Sequence, residues 1–435
     1  MKRKFSICLL CLGLAIGLYG CAKDTEKENS TEVVSPTAAI TQAVFAPVKE
    51  KVEEKTEGIS GLAETLEFCD ASEQAKYNAM NRMMSNYSPS WSSNFCIDEA
   101  TGAVYFVNWG KDYYLYRLID GKAELAVSLP ISMVATANGH VYFMIDSHGK
   151  YEMEAYSDGD IYYYTPSDGS VELLYAAGEA EEAEEYCLAV DDNGVYFSYM
   201  QKVPAPEYGE GVTIGKMTYG FLPYGETKLQ QDTLEMTMPG WNNYKFSYLF
   251  TSDDYSVPPE LILVDRQDNQ NRKELSIGRP YLYCVVDDCL YYMSAKDSMN
   301  FHNLNLVTGE DKAYDLKEAY MATGFYETTE MFEQHLKENP NTQFFHSFTY
   351  AGGYIWLTNS AFLYRIDMET GVVDHFSLQK DRTPFIGTLY TDGDNLYALY
   401  SENWDGGKCL VKIGTEIIGV SDMGHPLLEM EYITE

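Results

Sequence analysis

Two oxygen-rich segments are the first residues in this sequence that offer chemistry. Residues 158–160 (Asp-Gly-Asp) and 392–395 (Asp-Gly-Asp-Asn) present carboxylate and amide oxygens of the kind that Ca²⁺ prefers. Tight β-hairpin turns use the same residue types, because Gly, Asn and Asp tolerate the positive φ that these turns need. We favour the turn interpretation and predict no metal site.

Histidines and carboxylates give no catalytic pattern. The seven histidines are scattered between residues 140 and 425, and we interpret them as isolated surface or core residues. The 66 carboxylates are too numerous to single out a glycosidase pair. The sequence contains no phosphate loop, no HExxH helix, no GxSxG elbow and no S-x-D-x-G-x-x-W box of sialidase propellers. We therefore predict no catalytic residue and no cofactor.

The N-terminus has the pattern of an export signal over residues 1–20. A basic stretch at 2–4 precedes an apolar stretch at 5–18 that is short for a membrane span. Residues 18–21 (Leu-Tyr-Gly-Cys) resemble the lipobox of bacterial lipoproteins, whose cysteine receives a diacylglyceryl group. The resemblance implies that Cys21 is lipidated and holds the protein at the extracytoplasmic face of the cell membrane. An ordinary secretory signal with a chance cysteine is the alternative.

Two segments separate this signal from the repeats. Residues 21–60 are polar without periodicity, so we predict a lipidated cysteine followed by a disordered tether. We call residues 61–93 the lead-in segment and interpret it either as a short helix or as the approach to the first repeat. The formal charge of −35 argues against nucleic-acid binding, because such a surface repels phosphates.

Six cysteines lie beyond Cys21, and none of them forms a CxxC pair. We interpret them as buried apolar residues. Cys284 and Cys289 flank a predicted turn, which leaves one disulfide open as an alternative.

A short phrase recurs along the chain, in which a Gly-, Asn- or Asp-rich turn precedes a β-rich apolar burst. The bursts begin at Val104, Val141, Val195, Lys245, Leu290, Ile355 and Leu396. Most intervals approach the roughly 40 to 50 residues of a four-stranded propeller blade. The longest interval contains an insertion at 317–342 whose apolar spacing predicts a short helix. We predict an all-β fold, a single β-propeller over 94–435 with seven four-stranded blades, six or eight being the alternatives.

The phrases at 104–106, 115–121 and 363–367 resemble the lipoprotein-receptor-like propeller repeat of Gram-positive bacterial lipoproteins. Residues 88–92 (Ser-Pro-Ser-Trp-Ser) bear a fainter likeness to the repeat of TolB-type propellers. Both resemblances imply the fold. They carry over no residue with an assigned role, so they imply no activity.

The irregular sequence falls on one face of such a propeller, because the second connection of each blade and the linkers between blades share that face. Residues 199–217 are one of these second connections, and we expect them to form a loop. Variable loops on a rigid scaffold are the usual place for binding. The aromatic residues on these connections that we predict to contact a ligand are Trp109, Tyr113, Tyr151, Tyr208, Tyr255 and Trp404. Loops that only pack on their own blade are the alternative.

The sequence therefore favours a lipid-anchored, non-enzymatic binding or scaffold module for an envelope protein or a glycan. The competing hypothesis is a carbohydrate-active hydrolase or lyase with its acid and base at the mouth of the central channel. The oligomeric state is not specified by the sequence.

Overall fold

Seven four-stranded antiparallel sheets follow one another along the chain in a computed structural model. The model describes residues 71–81 and 93–433 except 100, 111, 146–158, 177–182, 192, 205–212, 227–229, 232–237, 242–243, 250–259, 269, 276, 278–279, 341 and 403–407. The predicted signal, Cys21 and the tether lie outside the described residues. The sheets confirm the predicted seven-bladed β-propeller.

Each blade consists of four strands that are consecutive in the chain. Blade 1 comprises β1 (Phe95–Ile97), β2 (Val104–Val107), β3 (Leu115–Ile119) and β4 (Lys122–Val127). Blade 2 comprises β5 (Ile131–Ala137), β6 (His140–Ile145), β7 (Ile161–Thr165) and β8 (Ser170–Tyr175). Blade 3 comprises β9 (Ala183–Asp191), β10 (Gly194–Pro204), β11 (Thr213–Pro223) and β12 (Gln230–Gln231). Blades 4 and 5 comprise β13 (Met238–Trp241), β14 (Tyr244–Leu249), β15 (Glu260–Asp265), β16 (Arg272–Glu274); and β17 (Pro280–Val286), β18 (Cys289–Ser294), β19 (Asp297–Asn305), β20 (Asp311–Asp315). Blades 6 and 7 comprise β21 (Ser347–Ala351), β22 (Tyr354–Thr358), β23 (Leu363–Ile366), β24 (Val373–Phe376); and β25 (Phe385–Thr391), β26 (Leu396–Ser401), β27 (Cys409–Val420), β28 (Pro426–Tyr432).

All seven predicted apolar bursts lie at the start of the second strand of a blade. The described turns before these bursts contain residues with the positive φ that their Gly, Asn and Asp residues predict. Before the second strand of blade 2, Asn138 and Gly139 have φ of 52° and 73°. The turn between the third and fourth strands of blade 1 has the same pattern, with φ of 48° at Asp120 and 75° at Gly121. Two consecutive residues with positive φ give the backbone twist that matches paired antiparallel strands.

Two faces result from this order of strands. The tight-turn face carries the turns between the first and second strands of each blade. The long-connection face carries the connections between second and third strands and the linkers between blades. The insertion at 317–342 lies in a linker of this second face, between blades 5 and 6.

Tyrosines fill much of the space between blades, which explains their abundance. Among the residues whose burial the structure describes, the fully buried tyrosines are Tyr105, Tyr196, Tyr281, Tyr283, Tyr364, Tyr390 and Tyr400. Phe95 of blade 1 stacks on Tyr390 of blade 7, with ring centroids 5.2 Å apart and planes 7° apart. Burial raises the pKa of Tyr390 to about 12, so this tyrosine stays neutral at physiological pH.

The insertion forms two helices, α2 (Lys317–Met321) and α3 (Thr329–Glu338). The hydroxyl of Thr328 caps α3 by accepting a hydrogen bond from the Met331 backbone amide at 3.2 Å. Phe332 is buried, whereas Met331 is 50% exposed. The predicted helix is confirmed, but Met331 lies outside its apolar face.

Blade 3 departs from the prediction. Residues 199–217 were expected to form a loop, yet β10 and β11 stay paired as far as Pro204 and Thr213. β-rich residues on both sides extend the hairpin beyond the length of second strands in other blades.

Cys284 and Cys289 are free thiols. Cys284 lies opposite Tyr291 in the β17–β18 ladder, and Cys289 lies opposite Val286, so the two cysteines do not face each other. Cys96 is buried as well, whereas Cys289 and Cys409 are half-buried.

The ring closes without strand exchange among the described strands, because blade 1 and blade 7 each use consecutive strands. A helix, α1 (Ala71–Asn81), packs instead on the innermost strands β1, β17, β21 and β25. These strands are the innermost ones of the neighbouring blades 5, 6, 7 and 1. The lead-in segment therefore contains a helix, and that helix packs on the inner strands of this side of the ring.

Two asparagines of α1 bond the first and last blades. The Asn78 amide donates to the Ile97 carbonyl and accepts from the Ile97 backbone amide, both at 2.8 Å. The Asn81 amide donates to the Thr391 carbonyl at 2.8 Å and accepts from the Thr391 amide at 2.7 Å. Ile97 and Thr391 end the innermost strands of blades 1 and 7, so α1 joins the two ends of the ring.

The other contacts of α1 place it at the tight-turn face. Tyr77 packs so closely on Gly393 that a Cβ there would lie 2.4 Å from the ring. Lys76 forms an ion pair of 3.1 Å with Asp287. Gly393 and Asp287 both belong to turns between the first and second strands of their blades. The chain thus enters the propeller at the tight-turn face.

Candidate functional site

The structure describes two of the six predicted ligand contacts. Tyr151, Tyr208, Tyr255 and Trp404 lie outside the described residues. Trp109 and Tyr113 lie on the β2–β3 connection of blade 1, and their ring centroids are 6.0 Å apart with planes inclined by 49°. Both side chains are partly exposed.

The backbone of this connection is held in an unusual conformation. Tyr113 has a φ of 62°, which is uncommon for a residue with a bulky side chain. Its amide donates to the Asn108 carbonyl at 3.0 Å, and its carbonyl accepts from the Ile131 amide at 2.9 Å. The Asp112 carboxylate accepts from the Tyr116 hydroxyl at 2.7 Å. These bonds fix the direction in which the aromatic side chains project.

Sequence reasoning missed two further members of the site, Lys408 and Phe385 of blade 7. The Lys408 ammonium lies 5.6 Å from the Trp109 ring centroid and 5.3 Å from that of Phe385. These distances are within the range of cation–π attraction. We call Trp109, Tyr113, Phe385 and Lys408 the seam cluster, because they lie where blade 7 meets blade 1.

A glycine allows the two connections to approach. A Cβ at Gly110 would lie 2.2 Å from the Lys408 carbonyl oxygen, closer than side-chain atoms come to backbone. Only glycine fits this position without displacing one connection. The seam cluster therefore depends on contact between the β2–β3 and β26–β27 connections.

Lys408 places a positive charge against aromatic rings. The chain has a formal charge of −35, yet no carboxylate among the described residues forms an ion pair with Lys408. Desolvation by the surrounding protein lowers the pKa of Lys408 below its ordinary value. The seam cluster thus combines partly exposed aromatic rings with a poorly hydrated cation.

Histidines converge in one place, contrary to the expectation that they are isolated. His375 Nε2 lies 3.1 Å from His425 Nδ1, and Phe362 packs edge-on against the His425 ring. Burial lowers the pKa of both imidazoles. The pair joins the β27–β28 hairpin of blade 7 to β24 of blade 6.

A second network surrounds His302 on blade 5. Its Nδ1 lies 3.1 Å from the Asp311 carboxylate, which also accepts from the Tyr292 hydroxyl at 2.8 Å. The Tyr292 ring stacks on the imidazole with centroids 4.6 Å apart. His302 and Asp311 belong to the third and fourth strands of the blade, away from the channel mouth where the enzyme hypothesis expected an acid and a base.

Neither oxygen-rich segment forms a metal cluster within the described part of the chain. Both Asp392 oxygens accept from the Asn395 amide, and one accepts from the Tyr397 hydroxyl at 2.8 Å. These contacts are those of a structural turn. Among the described residues, no helix is long and apolar enough to cross a membrane.

Comparisons with known proteins return structural similarity alone. No family model and no curated protein matches the sequence. A loop-replaced variant of the protein KlHsv2 is 6% identical with a TM-score of 0.43, over 78% of this chain and 96% of that one. A prolyl endopeptidase is 12% identical with a TM-score of 0.46, over 86% of this chain and 52% of that one.

A puromycin-hydrolysing peptidase of Mycobacterium tuberculosis is also 12% identical, with a TM-score of 0.43 over 80% of this chain and 52% of that one. The chain thus spans about half the length of the two peptidases that it matches. At these identities and scores, the similarities carry no argument about activity, substrate or partner.

Proposed function

We propose that this protein is a lipid-anchored β-propeller on the extracytoplasmic face of the cell membrane, related to the Gram-positive lipoproteins that its repeats resemble. In this proposal it acts as a non-enzymatic binding or scaffold module. Its long-connection face captures an envelope protein or a glycan.

The position of α1 is the observation that carries the proposal. Helix α1 lies at the tight-turn face, where its residues Lys76 and Tyr77 contact the turns. A lipid on Cys21 would therefore hold the tight-turn face towards the membrane. The long-connection face would point away from the membrane, towards potential partners.

The seam cluster also supports the proposal that the long-connection face binds a partner. Its partly exposed aromatic rings lie on the outward face of a rigid scaffold, where binding residues are most often found. Interfaces are enriched in Trp and Tyr, which bury a large area at a low cost in conformational entropy.

The alternative of a hydrolase or lyase receives less support. The His302 network contains a histidine, carboxylates and a tyrosine, but a stacked ring covers one side of the imidazole. Turnover of an envelope glycan that is lost in a His302→Gln variant would favour this alternative.

Partner capture tests the proposal. The full-length protein carrying an affinity tag is expressed in its membrane, solubilised, and compared with a variant in which Trp109 and Tyr113 are replaced by Ala. We expect the variant to capture at least about tenfold less of its main partner, since residues at the centre of an interface carry most of its energy. Leu125→Ala is the matched control, because Leu125 is 55% exposed on the outermost strand of the same blade. Equal capture by the wild type and the double variant would contradict the role of this face.

A further inference from the structure

We infer that the seam cluster binds a sugar ring that bears a carboxylate, such as a uronic acid of an envelope glycan. The inference rests on the proposed function and names the ligand class for the same face. Two features of the cluster carry it, a cation with no ion pair to any carboxylate of the described residues and a pair of inclined aromatic rings.

The cation indicates an anionic partner. The Lys408 ammonium is held between the faces of Trp109 and Phe385, and these rings replace part of its water. Aromatic faces compensate for lost hydration only partly, because they offer a quadrupole and not a hydrogen-bond acceptor. A carboxylate would supply the acceptor, and a charge-assisted hydrogen bond is stronger in such a poorly hydrated place.

The aromatic rings indicate a flat, partly apolar group beside that carboxylate. Trp109 and Tyr113 are partly exposed rings inclined by 49°, and the Lys408 ammonium lies 5.6 Å from the Trp109 centroid. One face of a pyranose ring presents C–H groups, and burying them against an aromatic ring removes apolar surface from water. The hydroxyls at the ring edge remain free for solvent and for neighbouring polar groups.

The charge of the whole protein restricts the ligand further. With a formal charge of −35, the surface opposes the approach of nucleic acids and other dense polyanions. A single carboxylate matched to a single lysine avoids most of that repulsion. This match favours a uronic acid over a phosphate polymer.

Affinity measurements with simple sugars test the inference. The full chain, solubilised in detergent, is titrated with D-glucuronic acid, methyl D-glucuronate, D-glucose and acetate, and binding is followed by ligand-observed NMR. We expect glucuronic acid to bind at least about tenfold more tightly than the ester, glucose or acetate, since the site recognises both the charge and the ring. Equal binding of glucose would overturn the role of the cation, and equal binding of acetate would overturn the role of the rings.

Variants at Lys408 give the second measurement. Lys408→Met keeps an unbranched apolar side chain over the rings, and we expect it to lose about tenfold in affinity for glucuronic acid. Lys408→Arg keeps the charge and should stay within a few-fold of the wild type. An unchanged affinity in Lys408→Met would refute the inference.

The two proposals fail in different ways. If glucuronic acid does not bind, but the double alanine variant at Trp109 and Tyr113 still loses its partner, the ligand class is wrong and the binding face stands. If capture is also unaffected, the binding face is wrong as well.

Discussion

Helix α1 closes the ring, and replacing its two asparagines should open it. Asn81→Ala removes the bonds to the amide and carbonyl of Thr391, and Asn81 is only 1% exposed, so water cannot replace them. A buried polar group left without a partner costs about 1–3 kcal/mol. Alanine gains roughly 0.5 kcal/mol in helix propensity, which offsets part of this cost. Because both the amide and the carbonyl of Thr391 lose their partner, we expect a net loss of about 2–5 kcal/mol in the free energy of unfolding.

Asn78→Ala should cost less, about 1–3 kcal/mol, because Asn78 is partly exposed whereas Asn81 is buried. The double variant should lose roughly 3–6 kcal/mol, a large share of the 5–15 kcal/mol typical of folded domains. The two asparagines bond different blades, yet they share one helix, so their effects should add only in part.

Denaturant titration of the full-length protein measures the loss, and hydrogen exchange locates it. In the Asn81 variant the Thr391 amide should exchange faster, because it loses its acceptor. Gln334→Ala is the control, since this residue bonds only the exposed Glu338 on α3 and should change stability by less than about 0.5 kcal/mol. Our account of ring closure is refuted if Asn81→Ala costs no more than Gln334→Ala and exchange at Thr391 is unchanged.

Two further predictions concern the seam and the histidine pair. Gly110→Ala should separate the two connections of the seam, because its Cβ would lie 2.2 Å from the Lys408 carbonyl oxygen, and acrylamide should then quench Trp109 fluorescence more strongly than in the wild type. Unchanged quenching would show that the connections do not touch. His375 and His425 have pKa values lowered by burial, so the folded state binds protons less readily than the unfolded chain. Their contribution to stability is present above the ordinary histidine pKa of about 6.5 and is lost as the pH falls through the lowered values. His375→Gln should therefore lose less stability than the wild type between pH 7.5 and pH 5, as measured by denaturant midpoints at both pH values, and equal losses would contradict this role.

The residue types of the tight turns allowed each blade to be located from the sequence. Pairs such as Asn138-Gly139 adopt positive φ and are followed at once by the second strand, so each repeat could be located without knowledge of its neighbours. The helix in the insertion was also a local prediction. The long hairpin of blade 3 was not predicted, although strand-forming residues lie on both sides of its turn.

The seam cluster was only half predictable. Trp109 and Tyr113 stand out as aromatics on an irregular connection, whereas Lys408 joins them only because the ring closes. That contact spans almost the whole propeller in sequence, and no spacing rule reaches so far. The site of α1 was missed for the same reason, although Asn78 and Asn81 are three residues apart and so lie on one side of the helix.

Attachment through α1 has a mechanical consequence. A pull on α1 would be shared by the innermost strands of four blades, not borne by one blade at the rim. Tension at this helix would therefore load the centre of the ring before any outer strand.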